Sequence, residues 1–383
     1  MTRMPNPEYF DFAATTPVDR RVAELMMRYL CDEVGNPGSR THTYGVNARM
    51  AVEQARTHVA TLVSATDDEV IFTSGATEAN NISILGLAAY GERTGQRHIV
   101  TTAVEHKAVL EPVQHLAEAG FDVTILPVGQ GGIVDPEQLR AALRTDTLLV
   151  SVMHVNNETG VLQPLTELGE AMSDHPAFLH VDGAQGFGKE LELLRNHRID
   201  LISISGHKIY GPQGTGALIT RKRNGTDRPP LQSLVFGGGQ ERGIRPGTVS
   251  VPLTVALGEA TRLAGQENAT RTSTANTISE ALITFIEAAG GAVNGDRSHA
   301  IPQIVNASFR GLDSEAFIVA TKAHIAISNG AACSSHSYER SHVLEAMGLD
   351  PWRVSGAVRF SFSHLSQTPD WEQLTQIIES VRF

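Results

Sequence analysis

The chain has 383 residues, 41% hydrophobic and 19% charged, a balance typical of folded globular proteins that excludes a disordered or low-complexity chain. With 31 Lys plus Arg against 42 Asp plus Glu the formal net charge is -11, so the general surface repels a polyanion and direct nucleic-acid binding has no compositional support. The opening MTRMPNPEYFDF lacks the apolar core of a secretory signal, no stretch reaches membrane-spanning length, and two cysteines, Cys31 and Cys333, make no disulfide framework; a cytoplasmic protein with no membrane contact is expected.

From about residue 18 onward, helix-period and strand-like segments alternate, as in an α/β layer protein. VDRRVAELMMRYL and NARMAVEQARTHVATLV are spaced as amphipathic helices, EVIFTSG is a short apolar strand closed by glycine, and TEANNISILGLAAYG returns to helical spacing. HIVTTAVEH, FDVTILPV, TLLVSVMHV, AFLHVDGAQ and DLISISGHK follow, each an apolar run ending in polar or small residues. Such runs suit parallel strands covered on both faces, and ligands gather beyond the carboxyl ends of such strands. GPQGTGALITRKRNGTDRPP reads as a glycine-rich turn, a strand and a polar loop, and FGGGQERGIRPGT as a second glycine-rich loop. After VPLTVALGEATRLAGQ, a polar helix over roughly 264–289 is predicted to leave the first domain. The remainder, with QIVNASF, HIAIS and GAVRFSFS as strands and HVLEAMG and WEQLTQIIESV as helices, reads as a smaller α+β domain.

The strand ends carry the candidate chemistry. In FTSGATEANN a glycine turn delivers Ala76 and Thr77 to a helix start, where free N–H groups and the positive end of the dipole suit a phosphate; for Thr77 alone, a plain helix cap is the simpler reading. The absence of P-loop or GxGxxG spacing here argues against a nucleoside triphosphate or dinucleotide. Asp182, just past the strand in AFLHVDGAQG, must find a cation or several donors, and a structural salt bridge serves as well. Lys208 follows the next strand, with Ser205 and His207 beside it. Burial there lowers an amine's pKa and makes it a nucleophile toward carbonyls, whereas an exposed loop would leave it a solvated cation. Phosphate cradle, carboxylate and amine together are the set that pyridoxal phosphate demands. His106, closing HIVTTAVEH, suits ring stacking or proton transfer, or is an ordinary core histidine.

SGATEANN, AVEHKAVL, MHVNNETG, HVDGAQ, SGHKIYGP, GGGQERGIRPGT and NGAACSSHS, in this order over nearly the whole chain, closely resemble the cysteine desulfurases of the bacterial NifS/IscS-like kind, within the class V aminotransferase group. The resemblance implies an aspartate-aminotransferase-like fold (PLP fold type I). Its α/β large domain, with a mainly parallel sheet, is expected over 18–262; the smaller α+β domain takes 1–17 and 263–383 and carries the cysteine loop, about 328–337. The resemblance also implies pyridoxal 5'-phosphate as cofactor. Lys208 is similar to the Schiff-base lysine, Asp182 to the partner of the pyridine nitrogen, Gln185 to the donor to the ring hydroxyl, His106 to the ring-stacking histidine and Asn157 to the asparagine near ring hydroxyl and substrate. Ala76, Thr77, Ser205 and His207 match phosphate-binding positions, and Thr248 matches a threonine that reaches the phosphate of the neighbouring subunit, implying a homodimer. Arg359 matches the arginine that grips the substrate carboxylate, and alternation in GAVRFSFS sets it opposite Val358, Phe360 and Phe362.

By the same resemblance Cys333 is the catalytic nucleophile. A thiol that enters the cofactor site, attacks a sulfur and carries it away needs a mobile tether, which glycine, alanine and serine supply. Taken alone the residue would read as an inert small filler, and for Cys31 that bland reading stands. The implied reaction turns L-cysteine into L-alanine and leaves a persulfide on Cys333 for a sulfur-accepting protein. GGGQERGIRPGT and AAYGERTGQRHIVT are closest in wording to desulfurases of DNA phosphorothioation systems. Iron-sulfur cluster assembly is the other destination, although the chain stops soon after IIESVRF, where relatives that feed such scaffolds commonly run longer. The loop's NGAACSS departs from the serine before the glycine and threonine after the cysteine of many relatives. No metal site is expected, since Cys333, His336 and His342 lack the closed zinc pattern. Two rival readings keep part of this set. A selenocysteine lyase or other class V aminotransferase-like enzyme retains Lys208 and Asp182, and a non-catalytic docking platform retains the fold alone.

Overall fold

The computed structural model describes residues 7–329 and 340–382, so Cys333 and His336 lie outside the described residues. Its strands are β1 (Glu8–Tyr9), β2 (Val70–Thr73), β3 (His98–Thr102), β4 (Asp122–Leu126), β5 (Thr147–Met153), β6 (Phe178–Asp182), β7 (Leu201–Ser205), β8 (Gly216–Thr220), β9 (Gly291–Asn294), β10 (Ile304–Phe309), β11 (Ile325–Ala326) and β12 (Ala357–Ser361). Seven form one sheet in the order β2-β8-β7-β6-β5-β3-β4. β8 runs antiparallel to both neighbours, and every other pair is parallel. The carboxyl ends of β2, β3, β5, β6 and β7 therefore share one side.

Near-continuous apolar runs became fully buried strands, as their pattern predicts; only the edge strand β4 stays largely open. Successive residues serve opposite faces. Val150 and Ile202 pack into one apolar cluster with Val59 and Leu179, while Leu149 and Leu201 pack into another with Ile71 and Ile99. This is the two-sided coverage that parallel strands require.

The helix placed at roughly 264–289 from sequence is the far half of one continuous helix of 38 residues, Val251–Ala288. Gly265 lies inside it without a break, and an added Cβ there would stand 2.9 Å from Leu62 Cδ1, so the glycine marks a close approach. Its first half, with Val255, Leu257 and Leu263, belongs to the cluster on the large sheet. Its second half, with Ile278, Leu282 and Ile286, joins Val305, Phe309, Val358 and Phe360 in a separate core. That core covers the three-stranded antiparallel sheet β12-β10-β9. HIAIS yields only the two residues of β11, which pair in parallel with β1. Beyond β11, Ser328 bridges to Arg359 on β12, the two exchanging main-chain hydrogen bonds of 3.3 and 2.7 Å. No helix among the described residues is long and apolar enough to cross a membrane.

Candidate active site

The strand ends surround a cleft of about 570 Å³. Every described site residue named from sequence lines it except Thr248, which is exposed in a separate depression of about 230 Å³; Ser74 and Gly214 border both.

On one wall the helix Ala76–Leu85 begins. Its N-cap is Gly75, at φ +153°, and no side chain caps it. The cap role open to Thr77 is thus not the one seen, and the first-turn N–H groups at Ala76 and Thr77 are left for an anion in the cleft. Gly216 on β8 makes this possible, since a Cβ there would stand 2.7 Å from the Gly75 Cα. Ser205 and His207 complete this wall. His207 Nδ1 lies 3.2 Å from Thr15 Oγ1, and burial, then the positive charges of Lys208 and Lys189, push its imidazole down to about 4. A ring so placed is neutral at ordinary pH, leaving it a dipolar rather than ionic contact.

At the end of β6 the Asp182 carboxylate accepts from Asn80 Nδ2 at 2.8 Å and Ala184 N at 3.0 Å. Among the described residues it has no ion pair, so the structural salt bridge that the sequence left open is not what holds it. Asn80 Oδ1 is itself buried without a partner. A buried anion facing a cleft with only neutral donors suits a cationic ring nitrogen. Across from it Lys208 Nζ donates to the carbonyls of Ala13 and Ala14 at 2.5 and 2.8 Å. The amine is thus drawn inward, not left as a solvated loop cation. Gln185 Nε2 donates to the same Ala13 carbonyl at 2.8 Å, and Lys189 Nζ donates to Gln185 Oε1 at 3.2 Å.

His106 caps the helix Lys107–Glu118, its Nδ1 accepting from Ala108 N at 3.0 Å. A nitrogen that accepts carries no proton, so that bond puts the ring's N–H at Nε2. The preceding Glu105 is fully buried, its Oε1 accepting from Thr102 Oγ1 at 2.7 Å and Met153 N at 2.8 Å, and burial pushes its carboxyl up to about 8. On the β12 side Arg359 pairs with Asp11 at 2.6 Å and donates to the Asn157 carbonyl at 3.0 Å. Its Nε is buried with no partner, which leaves hydrogen-bonding capacity for a second carboxylate. Asp11, Ala13, Ala14, Asn80, Glu105 and Lys189 were not singled out from sequence. Asn80 and Glu105 stand inside the quoted SGATEANN and AVEHKAVL, beside residues that were, so proximity to a motif was the available signal.

The description "Aminotransferase class-V" fits residues 8–374. The chain belongs to the class-V aminotransferase family. Within this family it stands among the cysteine desulfurases of the IscS/NifS-like kind, with the α/β fold type I expected from its sequence. This class-V aminotransferase family member is 45% identical over 362 residues to a protein of Homo sapiens named cysteine desulfurase, covering 94% of this chain and 78% of that one. It is 43% identical over 380 residues to cysteine desulfurase IscS of Rickettsia massiliae, covering 99% and 92%. Among solved structures, DndA from Streptomyces lividans is 47% identical with a TM-score of 0.81, covering 96% of this chain and 100% of that one. SspA, solved in complex with cysteine, is 35% identical with a TM-score of 0.82, covering 93% and 98%.

Proposed function

We propose that the protein is a pyridoxal 5'-phosphate-dependent cysteine desulfurase that converts L-cysteine to L-alanine and hands the sulfur, held as a persulfide on Cys333, to an acceptor protein. The observation that carries this reading is the meeting of the Lys208 amine and an Asp182 carboxylate without an ion pair in one cleft. The uncapped helix start at Ala76 and Thr77, with Ser205 and His207, would hold the cofactor's phosphate, Asp182 its ring nitrogen, Gln185 and Asn157 its ring oxygen, and His106 its ring face. When bound, that cofactor supplies an aldehyde for Lys208 and an electron sink for the substrate's Cα.

Arg359 binds the substrate carboxylate, exchanging Asp11 for it or adding to it, and so aims the Cα–H toward Lys208. Lys208 Nζ takes the α-proton. The Cys333 thiolate then attacks the substrate sulfur: an S–S bond forms, the substrate's Cβ–S bond breaks, and its electron pair stays with carbon, where protonation gives alanine. The sum is L-cysteine plus the Cys333 thiol going to L-alanine plus the Cys333 persulfide. His106 Nε2 and the substrate's own thiol are the groups offered for the proton transfers at sulfur. We assign the large domain to 18–262 and the smaller one to 1–17 and 263–383, with the division falling inside the helix Val251–Ala288.

A homodimer is part of the reading. Thr248 lies outside its own chain's cleft, as a threonine serving a neighbouring cleft must, and Phe236, Val235, Tyr44 and Met50 are exposed. The location proposed is cytoplasmic. For the acceptor, the wording of GGGQERGIRPGT favours a DNA phosphorothioation partner over an iron-sulfur scaffold. The test is incubation with L-cysteine, followed by intact-mass measurement and an alanine assay. The expected result is a gain of one sulfur atom that Cys333→Ala abolishes, with equimolar alanine in the first turnover. Full-rate sulfide release by Cys333→Ser would favour a different enzyme of the same fold. Lack of a bound chromophore that depends on Lys208 would favour the docking platform.

A further inference from the structure

Between Gln185 and Lys189 the chain makes a turn that fits its surroundings too closely for any residue but glycine at two positions. A Cβ on Gly186 would fall 2.0 Å from His154 Nδ1, and Gly188, at φ +75°, would place one 2.9 Å from Ile209 Cγ2. This turn folds the Lys189 amine back under Gln185, on the wall of a small chamber of about 20 Å³ that Lys208 also lines. The amine makes one hydrogen bond, to Gln185 Oε1 at 3.2 Å, while Gln185 Nε2 donates to the Ala13 carbonyl at 2.8 Å. The two contacts fix the amide jointly. Flipping it would set Oε1 against the Ala13 carbonyl oxygen and Nε2 against the Lys189 nitrogen. Burial, then the charges of Lys208 and Arg359, push the Lys189 amine down to about 7; the neutral amine still donates to Oε1, and with its lone pair then able to accept, the Ala13 carbonyl is the contact that bars the flip above that pH.

Gln185 has then turned its oxygen toward Lys189 and committed one amide hydrogen to Ala13. One N–H remains, on a side chain that lines the cleft. We propose that Lys189 is a positioning residue: its amine holds the Gln185 amide in the orientation that presents an N–H to the ligand of the cleft. The inference rests on the cofactor reading above, in which the atom met by Gln185 is the ring oxygen. Selection for an ionised or acceptor oxygen at that place thus belongs to the pair rather than to Gln185 alone.

The test compares the full chain, freed of cofactor, in binding pyridoxal 5'-phosphate and 3-deoxypyridoxal 5'-phosphate, which lacks only that oxygen. Lys189→Met should weaken pyridoxal 5'-phosphate about tenfold, some 1.4 kcal/mol, and leave the deoxy compound within about threefold of its original affinity. Lys189→Gln, which keeps a neutral donor and guards against failure of the Met variant to fold, should retain the original preference between the two compounds. An equal loss for both compounds means that Lys189 only supports the turn, and no loss for either means that it supports nothing in the site; each overturns the proposal, as does loss of the preference in Lys189→Gln. If the unaltered protein binds neither compound, the cofactor reading itself fails.

Discussion

Glu105 stands between the sheet and His106 with both carboxylate oxygens away from water, one accepting two hydrogen bonds and the other, Oε2, without a partner. Its carboxyl is raised from 4.5 to about 8, by burial first and by the Asp182 charge last. Between those values the folded protein holds a proton that the unfolded chain has shed, so this residue's contribution falls as pH rises through the window and is level outside it. Glu105→Gln keeps an oxygen for Thr102 and Met153 and removes the titration. Its stability relative to the unaltered protein should therefore climb between about pH 5 and pH 8, by at most about 1.4 kcal/mol per pH unit. Urea unfolding at a series of pH values reads this directly, and a pH-independent difference would contradict the assignment.

At the scale of elements, the helices Thr43–Leu62 and Val251–Ala288 cross where Gly258 meets Ala55, so closely that a Cβ on Gly258 would lie 2.5 Å from the Ala55 Cα. Backbone cannot yield as a side-chain tip can, and Gly258→Val should lower stability by about 3 kcal/mol or more despite valine's adequate helix propensity. Thermal unfolding measures it; a change below about 1 kcal/mol would show that the crossing can open. The buried strands were legible because their coverage on both faces leaves near-continuous apolar runs, and Lys208, Asp182, Ala76 and Thr77 were legible because they follow those runs directly. The unity of Val251–Ala288 was not. Its middle, ENATRTSTAN, lacks a continuous apolar stripe as the helix passes from one core to the next, yet it holds no proline to stop it. Asp11, Ala13 and Ala14 escaped notice for another reason. Their contacts with Arg359 and Lys208 join opposite parts of the chain and, for the alanines, use main-chain oxygens, which no side-chain pattern encodes.

For the whole molecule, Phe236 is 92% exposed and Met50 67% exposed, on a loop and a helix that the buried Arg56–Glu241 ion pair at 2.8 Å ties together. Large apolar side chains so placed are poorly suited to water and well suited to a second copy of the chain. Sedimentation should show a dimer, and Phe236→Asp with Met50→Asp should shift it toward monomer and weaken cofactor retention along with it, since Thr248 serves the neighbouring cleft in this reading. A monomer at micromolar concentration for the unaltered protein would sink that arrangement. The main-chain bridge between Ser328 and Arg359 sets a further limit. Cys333 is the fifth residue beyond Ser328 in the chain, and fully stretched backbone covers about 3.5 Å per residue, so chain length allows its Cα at most about 18 Å from that anchor. If Cys333 carries sulfur as proposed, chain length alone sets its range, and a recipient would have to present its reactive atom within that range plus one cysteine side chain.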